Sequence, residues 1–134
     1  MDDIFVASLM SSGVVSVTRD TPVEEAAERL RQKDIGSLVV VDGRGRLEGI
    51  LTSTDFVAIV AKSEPKAETT VERYMTDRVI AVDPQDPIQD AADTMVTYGI
   101  NHLPVVDDDD TVIGMLSSTD LTAYLSAVQE PSPA

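Results

Sequence analysis

Two short phrases hold the residues best suited to chemistry: GILTSTD at Gly49–Asp55 and GMLSSTD at Gly114–Asp120, identical in five letters of seven. Each places a hydroxyl three residues before a carboxylate, Thr52 before Asp55 and Ser117 before Asp120. Two kinds of chemistry use that spacing. A helix N-terminus takes Ser, Thr and Asp as caps, with or without a ligand. A carboxylate also accepts two hydrogen bonds at once, and the free N–H groups of a helix start favour an anion. Elsewhere the inventory is thin. There is one histidine, His102, no cysteine, no P-loop and no G-x-G-x-x-G. A lone histidine serves either as a packing or surface residue or as a ligand contact. Asp55 and Asp120 share similar surroundings, so nothing makes one an acid and the other a base. No enzyme is expected. The run Asp107–Asp110 reads as a solvated turn, because four adjacent acids in a hairpin turn cannot all face one ion. No metal site is expected.

The elements that position these phrases repeat as well. At an offset of 65 residues, 17 of the 49 positions from Met10 to Ala58 are identical without a gap. The chain is a tandem duplication of a unit of about 60 residues. Each unit reads β-α-β-β-α. A β-branched run opens it, Val14–Thr18 or Val79–Val82. A helix follows, with Pro22 or Pro87 near its start and Thr21 or Asp86 as expected N-cap. Val23, Ala26, Ala27 and Leu30 line one face of the first helix; Ile88, Ala91, Ala92 and Met95 line the second. SLVVVD and HLPVVD are buried strands, and LEGILT and TVIGMLS their hairpin partners. The phrases then lead into last helices ending near Ala61 and Val128. DIFVASLM, capped by Asp2 or Asp3, and TTVERYM, opened by a Thr cap, are short helices ahead of the two units. The expected organisation is 1–62 for repeat 1 with its N-terminal helix, 63–70 for a linker, 71–128 for repeat 2 and 129–134 for a flexible tail. The fold class is α/β (α+β), with the two repeats packed in pseudo-twofold symmetry.

Composition narrows the partners. Twenty-four acids face ten bases, a net charge of −14. No basic cluster exists to displace counterions from nucleic acid or to bind an anionic membrane, and neither is expected as a partner. No apolar run approaches a membrane span. The acidic start reads as no targeting segment, so the expected location is cytoplasmic. Asp outnumbers Glu sixteen to eight and there are three Lys, a pattern that resembles proteins of salt-accumulating halophiles.

The tandem β-α-β-β-α order with GINHLPVVD and the doubled G-[IM]-L-[TS]-S-T-D resembles the CBS domain pair, named for cystathionine β-synthase, from about Leu9 to Leu125. The resemblance implies a regulatory module that binds AMP, adenosine, ATP or S-adenosylmethionine in clefts between the repeats. No cofactor is required. It implies a homodimer, a disc of four CBS units, that passes the change to an unknown effector protein. The alternative is a dimerising scaffold with empty clefts. Candidates for the dimer face are Phe56, Ile59, Val60, Leu121, Tyr124 and Leu125, on the last helices.

The family's nucleotide signature falls on Thr52 with Asp55 and on Ser117 with Asp120. The carboxylate suits the two ribose hydroxyls, and Ile50 or Met115 offers an apolar wall to a base. By the family's geometry one cleft combines Met115, Ser117 and Asp120 with Val14 or Val15, Gly36 and Ser37. The other combines Ile50, Thr52 and Asp55 with Val79 or Ile80, Asn101, His102 and Leu103. No basic residue falls at the matched positions; Arg19, Lys33, Arg44 and Arg46 are the nearest. AMP, adenosine or an S-adenosyl ligand is therefore expected ahead of ATP.

Overall fold

The structure is a computed structural model that describes residues 4–61 and 69–128. The linker expected at 63–70, apart from its last two residues, the tail 129–134 and the caps Asp2 and Asp3 lie outside the described residues. The element order is α1 (Val6–Leu9), β1 (Ser16–Val17), α2 (Val23–Lys33), β2 (Ser37–Val41), β3 (Leu47–Thr52), α3 (Ser53–Ala61), a 3-10 turn (Val71–Arg73), α4 (Ile88–Tyr98), β4 (His102–Val106), β5 (Val112–Ser117) and α5 (Ser118–Val128). This is the mixed α+β class, with one three-stranded sheet, β1-β2-β3, and one two-stranded sheet, β4-β5.

Two compact units form, and they do not follow chain order. Among the described residues, one comprises 4–13, 80–108 and 113–128; the other comprises 14–61, 69–79 and 109–112. The N-terminal helix, expected within repeat 1, therefore packs with repeat 2. Val6 is fully buried in a core with Val82, Ile88, Ala91, Met95, Leu103, Val105 and Leu116. The segment that opens the expected repeat 2 likewise serves repeat 1, where Val71 joins Val17, Ala26, Leu30, Leu38, Val40 and Leu51. Neither repeat closes its core from its own length alone, as a 60-residue unit predicts.

Both central helices bury the expected stripe: Val23, Ala26 and Leu30 on α2, and Ile88, Ala91 and Met95 on α4. Their starts differ from expectation. Pro22 and Pro87 themselves occupy the N-cap positions, with no side-chain cap bond. Thr21 turns its hydroxyl back to accept from Thr18 N at 3.1 Å, and Asp86 accepts from Asp83 N at 3.0 Å. Backbone from the exchanged segments takes over the exposed N–H groups: Val23 N donates to Thr69 O at 2.9 Å and Ile88 N to Ile4 O at 2.8 Å. The two short helices depart likewise. The N-cap of α1 is Phe5, and TTVERYM forms only a 3-10 turn whose Thr70 makes no side-chain cap bond.

The strand expected at Val79–Val82 is reduced to a single parallel bridge, Val82 with Val105. Its counterpart β1 pairs over two residues, and Val39 N donates to Val15 O at 3.4 Å. The residue equivalent to Val39 is Pro104. It has no N–H to donate to Ile80, so the ladder is cut to the bonds Val82 N to Pro104 O and Val106 N to Val82 O, both 3.0 Å.

The Asp107–Asp110 run and its counterpart Asp42–Gly45 are turns. Asp110 and Gly45, equivalent in the repeat, both take left-handed backbone, at φ 64° and 80°. Asp is among the few side-chain-bearing residues that adopt it readily. Within one unit the tips meet: Leu47 N donates to Asp110 O at 2.9 Å and Val112 N to Gly45 O at 3.0 Å. In the Asp42 turn, the Arg46 and Arg44 amides, with the Arg46 guanidinium at 2.9 Å, hold the Asp42 carboxyl below the usual range. Among the described residues no group of three or more His, Cys, Asp or Glu could hold a metal ion. No described helix is long and apolar enough to cross a membrane.

Candidate functional site

Each phrase runs off the end of a strand into a helix, β3 into α3 and β5 into α5. The spacing S/T-x-x-D builds a reciprocal cap there. Asp55 Oδ2 accepts from Thr52 N at 2.8 Å and from Thr52 Oγ1 at 3.1 Å, while Asp55 N donates to Thr52 Oγ1 at 3.4 Å. In the second copy Asp120 Oδ2 accepts from Ser117 N at 2.8 Å, and Asp120 N donates to Ser117 Oγ at 3.1 Å. Capping is therefore a real function of both phrases. It uses Oδ2 alone in each carboxylate among the hydrogen bonds described. Both aspartates are partly exposed, at the first turn of their helices.

The neighbouring candidates gather within each unit. Gly36 O accepts from Ser53 N at 3.0 Å and Ser53 Oγ at 3.2 Å, and Ser37 pairs with Thr52 across β2 and β3. Ser37 is buried. In the other unit Asn101 O accepts from Ser118 N at 2.9 Å. His102, half-buried at the start of β4, is held below the ordinary imidazole pKa by burial, and the Asp120 charge partly opposes that shift. The resemblance groups His102 with Asp55; the charged neighbour that acts on it is Asp120. Ile50 and Met115 are partly exposed on their strands. Val14, Val15, Val79 and Ile80 are partly buried, Val15 against the core of one unit and Ile80 against that of the other. Leu103 is fully buried in the core of its unit.

The glycines of the phrases have a separate role that sequence reasoning missed. Ile50 and Thr76 exchange two backbone hydrogen bonds, at 3.0 and 2.9 Å, and Met115 and Ser11 do the same at 2.9 and 2.8 Å. These pairings seat Met75 on Gly49 and Met10 on Gly114. A Cβ on Gly49 would lie 2.8 Å from Met75 Sδ, and one on Gly114 would lie 2.5 Å from Met10 Sδ. The identity of Met10 and Met75 at the repeat offset was the available signal. Two of the basic residues nearest the phrases are already engaged: Arg19 pairs with Glu48 at 3.1 Å and Glu72 at 3.3 Å, and Arg46 with Asp42.

Both repeats thus carry the same strand-to-helix cap at the start of their last helix. The chain belongs to the CBS domain family, whose domain matches residues 6–62 and 71–127. The CBS domain pair of protein MJ0100, solved in complex with 5′-methylthioadenosine and S-adenosyl-L-methionine, has a TM-score of 0.88 and 30% identity, covering 95% of this chain and 99% of that one. A CBS domain-containing protein of Dictyostelium discoideum is 30% identical over 140 residues and 97% of each chain is covered. A homoserine O-acetyltransferase of Methanohalobium evestigatum is 32% identical over 121 residues, 90% of this chain and 24% of that relative. The chain thus spans about a quarter of that enzyme's length.

Proposed function

We propose that this CBS pair is a regulatory sensor of an adenosine-type ligand, with an S-adenosyl or 5′-thioadenosyl compound first, AMP and adenosine next, and ATP last. The observation that carries this reading is the MJ0100 pair with its two adenosyl ligands, at 30% identity and near-complete mutual coverage. The cap geometry supports it. Each aspartate spends Oδ2 on its helix, and its second oxygen is the natural acceptor for a ribose hydroxyl. The pairing of Arg19 and Arg46 with acids, and the net charge of −14, disfavour a polyphosphate. Binding would draw on the clefts that the family resemblance implies, and a homodimer would pass the change to an effector in the cytoplasm. The response can be no larger than the ligand's differential affinity for the two states.

A scaffold role is the second reading. Val57 and Val60 on α3 and Leu125 on α5 are 69%, 68% and 53% exposed, apolar surface suited to self-association. Of the residues expected on a dimer face, Ile59 is buried, and Phe56 and Leu121 each pack on the core of their own unit. Thermal unfolding in molar KCl separates the readings. S-adenosylmethionine, 5′-methylthioadenosine, AMP and ATP are each compared with buffer. A ligand at about a hundred times its Kd adds roughly 2.7 kcal/mol. A shift with an adenosyl ligand supports the sensor; no shift with any of the four supports the scaffold.

A further inference from the structure

We propose that Met10 and Met75 are paired oxidation sites, at which a hydroperoxide converts the thioether to the sulfoxide and releases the preceding segment from the strand that carries each phrase. The two thioethers lie in matching places. Each rests on a glycine, Met10 on Gly114 and Met75 on Gly49, in the volume a side chain would otherwise fill. Each is held by one antiparallel pair of backbone hydrogen bonds, Ser11 with Met115 and Thr76 with Ile50. Each is partly buried at the rim of its own unit's core, Met10 in one and Met75 in the other. A small peroxide can reach a sulfur at such a rim. Met95 differs, being 5% exposed within a core.

In the reaction the sulfur lone pair attacks one peroxide oxygen and the O–O bond breaks. A sulfur–oxygen bond forms, sulfur loses two electrons, and hydrogen peroxide leaves as water. The product is polar and chiral where an apolar, adaptable group had filled the gap. The added oxygen must either displace the segment from the glycine or sit unsolvated against strand backbone. Both outcomes weaken the contact with the phrase strand, which among the described residues carries two backbone bonds in each unit. The proposal does not depend on the ligand reading.

The test uses the whole chain treated with hydrogen peroxide, with peptide mass spectrometry to follow each methionine and thermal unfolding to follow stability. Met10 and Met75 are expected to oxidise well before Met95. The Tm is expected to fall by at least about 3 °C and to recover after methionine sulfoxide reductase. A Met10→Leu, Met75→Leu chain is expected to keep its Tm under the same peroxide. Amide exchange at Ser11, Ile50, Thr76 and Met115 in the oxidised native-sequence chain provides a readout that needs no variant, and it should quicken. Full oxidation of both sites with unchanged Tm and exchange would overturn the proposal. So would a Tm loss that persists in the double-leucine chain and therefore comes from a methionine other than Met10 and Met75.

Discussion

Replacing Gly114 with Ala tests the seating of the exchanged segment on the phrase strand. The new Cβ would lie 2.5 Å from Met10 Sδ, 3.1 Å from Met10 Cγ and 3.1 Å from Ser11 O. Two of those atoms belong to a flexible side chain, and one is backbone tied by the bonds between Ser11 and Met115. Met10 must therefore swing off the strand, an overpacking that costs about 1–3 kcal/mol. Ala recovers about 0.5–1 kcal/mol over Gly through backbone entropy. The net expectation is a loss of about 1–2 kcal/mol. Met10→Ala alone should cost about 2 kcal/mol, the low end for a buried methionine because Met10 is only partly buried. In the double variant the side-chain obstacle is gone and only the 3.1 Å carbonyl contact remains. The double variant should therefore lose at least about 1 kcal/mol less than the sum of the singles. Urea unfolding followed by far-UV circular dichroism measures all three. Additivity within about 0.3 kcal/mol would refute the contact as described.

Further expectations follow from the caps, the histidine and the charge. Asp120→Ala should cost about 1 kcal/mol of stability, a few degrees in Tm, whereas Asp120→Asn, which keeps an oxygen for Ser117 N, should cost much less; equal losses would contradict the cap geometry. Because burial lowers the His102 pKa, the unfolded chain binds its proton first as pH falls through about 6.5, and stability present above that value is lost below it. Asp120→Asn should lower that pKa further by removing the opposing charge. Proton NMR titration of the single imidazole checks both, and a midpoint above 6.5 would contradict them. The Tm should rise from low to molar KCl as the −14 charge is screened, and a flat Tm would exclude salt-dependent folding.

Much of this architecture was readable from the residues because duplication states each element twice. The α3 and α5 starts fell where S-T-D places a cap, and both central helices followed their apolar stripes. What escaped depends on contacts remote in sequence. Thr21 and Asp86 have good capping side chains, yet backbone at Thr69 and Ile4 satisfies the helix starts instead. Pro104 is visible in HLPVVD, but its effect on the opening strand emerges only when the strand facing it is known. Local pattern gave no sign that Val6 completes the core of the second repeat and Val71 that of the first. In the candidate site the hydroxyl–carboxylate pairs were legible. The Asp120 influence on His102 and the methionines over the glycines were not, since both come from packing and not from spacing.

In the proposed sensor, the second oxygen of Asp55 or Asp120 receives an adenosyl ligand. Isothermal titration of S-adenosylmethionine and 5′-methylthioadenosine into the chain in molar KCl, repeated on an Asp55→Asn, Asp120→Asn chain, tests it most directly. The asparagines keep the cap acceptor and present an N–H donor in place of the second oxygen. Binding to the unaltered chain and its loss in the variant are expected, with the variant's own Tm nearly unchanged. Binding of equal strength in both chains, or in neither, would contradict it.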